Sequence, residues 1–120
     1  MLFALERSTV AGRPALTVRG ELDLSTAPVL AQAVDGELTP PPGAFVIDLG
    51  PTAFMDSSGA RELVRIAKKA AAAGVDLHVI APPANRAVRL PIDLLELGTV
   101  VPIVGSAAEL PAIIDREARP

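Results

Sequence analysis

Cysteine is absent from the sequence, and so are tryptophan and tyrosine. The first absence excludes disulfides and thiolate metal ligands. The second, with only three phenylalanines, removes the aromatic platforms on which single-stranded nucleic acids stack. The one histidine, His78, has no close carboxylate cluster, so neither a metal site nor a cofactor is expected. Dense positive charge is missing too. The net charge is −3 and basic residues come singly or in pairs, unlike the face of a phosphate-backbone binder, so no direct nucleic-acid partner is expected. No apolar run approaches the roughly 18 residues of a membrane span. The stretch Met1 to Glu6 lacks a basic leader with a long apolar region, and the expectation is a cytoplasmic protein without membrane insertion.

What is present is a chain of 120 residues, half of them apolar, which suits one domain with a core of Ala, Val, Leu and Ile. Residues 3–10 and 14–20 read as two strands joined through Ala11-Gly12-Arg13-Pro14 in a hairpin. Ser25 or Thr26 suits the cap of a helix reaching Leu38, with Pro28 tolerated in its first turn. Phe45 to Leu49 is a short apolar run typical of a strand buried on both faces, and Val75 to Ile80 is the next strand. Asn85 to Leu90 predicts a short helix interrupted at Pro91, and Val100 to Val104 an edge strand because it contains Pro102. Ser106-Ala107-Ala108-Glu109 has capping-box spacing for a last helix. Strands alternating with helices after a hairpin make an α/β fold with a small, mixed, mostly parallel sheet.

The chemistry concentrates in Asp56-Ser57-Ser58-Gly59. These residues follow a core strand and precede a helix in which Leu63, Val64, Ala67, Ala70 and Ala71 recur at helical spacing up to Gly74. Loops at the carboxyl ends of strands are where open α/β sheets place function. One reading is a capped helix start. Another is a phosphorylated serine, since a phosphate adds about −1.5 to −2 charges at a point where backbone N–H groups are free. A serine nucleophile is the third, and it lacks support: no glycine stands two positions before the serine and His78 lies within a strand pattern. His78 reads as a polar strand residue, Arg86 and Arg89 as solvated or anion-binding cations, and Asp23 as a cap or turn residue. Arg61, Glu62, Arg65 and Lys68 form a charged helix face that would rim any partner reaching Ser57.

Gly20-Glu21-Leu22-Asp23 with Thr26-Ala27, and Val46-Ile47-Asp48-Leu49 with Phe54-Met55-Asp56-Ser57-Ser58-Gly59, together resemble the STAS domain family over nearly the full length. The motifs are closest to the branch of anti-sigma factor antagonists. The resemblance implies a single STAS domain over residues 1–117, with a frayed terminus at 118–120. It implies no catalysis by this chain, phosphorylation of Ser57 by an anti-sigma factor that is also a serine kinase, and reversal by a serine phosphatase. The contact surface it implies is Asp23, Asp56, Ser57, Ser58, Gly59 and Arg61. A different STAS role, a non-switching scaffold in a stress complex or in a lipid or anion transporter, leaves the serines as mere caps. Two positions depart from the antagonist pattern: Ala60-Arg61 replaces an apolar residue followed by a small one, and Glu96 stands near where a glycine is expected.

Overall fold

The structure, a computed structural model, describes residues 2–112; the expected domain end at 117 and frayed terminus at 118–120 lie outside the described residues. Strand β1 (Ala4–Val10) pairs antiparallel with β2 (Arg13–Leu22) through Ala11 and Gly12, whose φ angles of 50° and 78° are those of a two-residue type I′ turn. The sequence reading starts the second strand at Pro14 and leaves Arg13 in the joint, whereas Arg13 already belongs to β2. Beyond it the chain forms helix α1 (Ala27–Glu37), β3 (Ala44–Asp48), β4 (Thr52–Met55) and α2 (Ser57–Ala72). Then come β5 (Asp76–Ile80), α3 (Arg86–Leu94) and β6 (Ile103–Val104). The sheet runs β1-β2-β3-β5-β6, parallel except for the opening hairpin.

Strand β4 is absent from the sequence reading. It arises because β2 pairs twice: its first half parallels β3, and from Gly20 its second half parallels β4, with a register shift between Gly20 and Glu21. Gly20 makes the switch possible with φ +92°, at a point where a β-carbon would lie 2.8 Å from the Leu2 carbonyl oxygen.

The main core lies between one sheet face and the helices, where Leu16, Val18, Phe45 and Ile47 meet Leu30, Val34, Leu63 and Ile66. Burial of each such side chain is worth about 1.5–3 kcal/mol. The opposite face carries a smaller cluster of Ala15, Val46 and Ile80, with Leu110 against it. There the buried Arg13 guanidinium donates to the carbonyls of Ala11 and Pro111.

Three further expectations are corrected. Helix α3 passes through Pro91 and ends at Leu94. The proline removes the donor that would serve the Ala87 carbonyl, and Ala87 is exposed, so that carbonyl is open to water. Of the strand expected over Val100 to Val104, only Ile103–Val104 pairs, at the sheet edge, because Leu97–Thr99 is wound into a 3₁₀ turn. The helix expected after Ser106 is, among the described residues, a 3₁₀ turn at Ala107–Glu109; Pro111 holds Leu110 extended, with ψ 135°.

Candidate functional site

Strands β2 and β4 end side by side, with Leu22 opposite Met55, and this pairing creates the site. Immediately after Met55 the Asp56 N–H donates to the Leu22 carbonyl at 3.2 Å. Asp56 then caps α2: its carboxylate accepts from the N–H groups of Ser58 at 2.8 Å and Gly59 at 3.0 Å. The two N–H groups are ones the helix itself leaves without acceptors. At the far end, Gly74 takes φ +73° while Val75 and Gly74 donate to the carbonyls of Ala70 and Ala71, a Schellman closure at the glycine the sequence marks as the stop. Local chemistry at both ends thus fixes the length and position of α2.

Ser57 is the first helical residue, is exposed, and its hydroxyl makes no hydrogen bond among the described residues. Ser58 is half-buried and Gly59 buried. Gly59 touches β2 so closely that no larger residue fits without movement. One turn along α2, Arg61 is exposed and in no ion pair among the described residues, whereas Arg65 is held by Glu62 at 2.7 Å.

Asp23 follows Leu22 directly. Its carboxylate accepts from the Ser25 hydroxyl at 2.8 Å and from the backbone N–H groups of Ser25 and Thr26 at 3.0 and 3.2 Å. The Ser25 hydroxyl, with help from Thr26, holds the Asp23 carboxyl below its ordinary value. The sequence reading gives Ser25 or Thr26 the cap of α1. Thr26 does precede the helix, but its hydroxyl makes no cap bond and turns back to the Glu21 carbonyl at 2.7 Å. Asp23 takes over the loop.

The six residues expected at the contact surface thus stand on two neighbouring chain segments, Asp23 after β2 and the other five at the start of α2. Sequence reasoning missed two supports. The side-chain amide of Asn85 donates toward the carbonyls of Leu49, Gly50 and Thr52, at 3.1, 3.2 and 2.8 Å, and so staples the kink between β3 and β4. The Thr52 hydroxyl donates to the Val18 carbonyl at 2.7 Å, which ties the start of β4 to β2. Neither contact leaves a spacing in the sequence that would reveal it. Two exposed apolar residues, Leu24 and Phe54, follow or precede the site residues in the same segments.

His78 is in the middle of β5, opposite Val46, and the serines follow β4 instead. The one histidine thus stands on a different strand from the one that leads into Ser57. Among the described residues no group of three or more His, Asp or Glu could hold a metal ion, and no helix is long and apolar enough to cross a membrane.

Residues 6–104 match the family profile described as "Mlab, STAS domain". The chain belongs to the STAS domain family. Among solved structures it is similar to an anti-sigma factor antagonist from Mycobacterium paratuberculosis, with 28% identity over 88% of this chain and 87% of the other and a TM-score of 0.72. A Thermotoga maritima protein, given provisionally as an anti-sigma factor antagonist, matches at 22% identity over 88% and 89% of the two chains with a TM-score of 0.76. The anti-sigma factor antagonist SpoIIAA in its unphosphorylated form matches at 18% identity over 90% and 92%, with a TM-score of 0.62. The last two likenesses establish the STAS fold alone. No curated protein sequence matches significantly.

Proposed function

We propose that this STAS domain is a cytoplasmic anti-sigma factor antagonist, switched by phosphate on Ser57. Unphosphorylated, it binds an anti-sigma factor that is also a serine kinase and thereby frees a sigma factor for transcription. Phosphorylation of Ser57 ends the binding, and a serine phosphatase restores it. The observation that carries this reading is the exposed Ser57 hydroxyl, without a hydrogen bond among the described residues, on the first turn of α2 between the Asp56 cap and Arg61. The domain is a substrate and a ligand in this scheme and needs no catalytic group of its own.

The cap explains why phosphate would release a partner. An anion at a helix start is ordinarily stabilised by free N–H groups, but Asp56 already occupies those of Ser58 and Gly59. A phosphate on Ser57 would have to face outward beside a carboxylate, and a partner covering it would have to desolvate a dianion. Each 1.4 kcal/mol lost costs about a tenfold drop in affinity. The test is affinity for the anti-sigma factor measured with Ser57→Ala and Ser57→Asp. Ser57→Ala is expected to bind like the unmodified protein and Ser57→Asp at least about tenfold more weakly; equal affinities would overturn the switch.

A second reading, a non-switching scaffold subunit of a stress complex or of a lipid or anion transporter, is favoured by one feature that owes nothing to Ser57. Helix α3 exposes Leu90 and Leu94 to solvent. Stable co-purification with transporter subunits, with both Ser57 variants bound alike, would support that reading instead.

A further inference from the structure

Helix α3 buries Val88 and Ile92, and its opposite side carries an unusual set of exposed residues: Leu90, 51% exposed, Leu94, 72%, with Arg86, Ala87 and Asp93 around them. At about 100° per residue, Leu90 is at the centre of this outward face. Arg86 and Asp93 fall on the same side of that centre line, about one turn before and one turn after Leu90; Ala87 and Leu94 fall on the other side, again one before and one after. Arg86 is in no ion pair among the described residues, and Asp93 has only Arg89 at 3.5 Å. A groove of about 220 Å³ is lined by Pro83, Arg86, Arg89, Leu90 and Asp93.

This pattern is self-complementary. A two-fold axis through Leu90, perpendicular to the helix, lays a second α3 antiparallel on the first. The operation keeps each residue on its side and exchanges before with after. Leu90 then meets Leu90 of the second copy, Leu94 meets Ala87, and Arg86 meets Asp93, each of the last two pairs occurring twice. A partner surface of single charge would leave either Arg86 or Asp93 opposed by its own sign, and a lipid surface would have to desolvate both. We infer that the outward face of α3 is an isologous contact between two copies of this chain. The inference is independent of Ser57 and of the partner that reads it.

A nine-residue helix spans only about 13 Å, less than a standard interface needs, so the dimer is a weak one, with a dissociation constant of about 10–100 µM. Sedimentation equilibrium of the full chain from about 5 µM to 1 mM, bracketing that range, tests it. The unmodified protein is expected to pass from monomer to dimer. Arg86→Asp and Asp93→Arg alone place like charges opposite each other and are expected to weaken association at least about tenfold, as is Leu90→Glu. The double variant Arg86→Asp/Asp93→Arg restores opposite charges and is expected to return to within about threefold of the original. All three positions are exposed, so unchanged circular dichroism and melting temperature will show that the fold is intact. A monomer at every concentration, association indifferent to the single variants, or a double variant as weak as the singles would each overturn the inference.

Discussion

Gly59 and Leu22 are in such close contact that a β-carbon at residue 59 would lie 2.5 Å from the Leu22 carbonyl oxygen. The first turn of α2 is thereby pressed onto the end of β2, and the position of Ser57 relative to Asp23 depends on it. Gly59→Ala is expected to destabilise the protein by about 1–3 kcal/mol, because overpacking against backbone outweighs alanine's better helix propensity. Gly36, inside α1, has nothing within 4 Å of its missing β-carbon. Gly36→Ala is expected to stabilise by about 0.5–1 kcal/mol. Urea denaturation of the two variants should show opposite signs.

Asp56 and Ser57 are adjacent but have separable roles. Asp56→Ala removes the acceptor for two N–H groups and is expected to cost about 0.5–2 kcal/mol. Ser57→Ala removes a hydroxyl with no hydrogen bond among the described residues and is expected to change stability by less than about 0.5 kcal/mol. Thermal melts of the two variants would distinguish a serine that supports the fold from one displayed for a partner.

Glu96 adopts φ 53° and ψ 40°. This left-handed conformation costs a side-chain-bearing residue about 1–2 kcal/mol, whereas glycine adopts it without that cost. Glu96→Gly is expected to raise stability by about 0.5–1 kcal/mol after the extra freedom of glycine in the unfolded chain is subtracted. Ala11, at φ 50° in the hairpin turn, should respond in the same direction to Ala11→Asn. A rise of a few degrees in melting temperature for each variant is the expected reading.

The Asp23 carboxyl is held below 3.8 chiefly by the Ser25 hydroxyl. A carboxyl depressed in the folded state contributes stability that is complete above its unfolded value, near pH 4, and is lost as the pH falls through the folded value. Ser25→Ala should therefore move the Asp23 titration, followed by NMR, upward toward 3.8. An unchanged titration would show that the loop, and not the hydroxyl, sets it.

The site was legible where its chemistry is local. An acceptor side chain at Asp56, helical spacing from Ala60 and a glycine stop at Gly74 are properties of neighbouring residues, and the structure places the helix where they predict it. What escaped is non-local. β4 is only four residues long and exists because Gly20 lets β2 change partners, a pairing more than thirty positions away in the chain. Asn85 looks like a helix start and is one, yet its side chain is spent on the kink after β3. Pro91 reads as a stop because proline deletes a bond, but the bond deleted is on the wet side of α3.

The most direct test of the switch is peptide mass spectrometry of the protein from its native cells, across growth and stress conditions. Phosphate on Ser57 is the predicted result, with Ser58 unmodified. Ser57 unmodified under every condition, or phosphate confined to other residues, would contradict the switch and leave Asp56 as a helix cap and Ser57 as the helix's first residue.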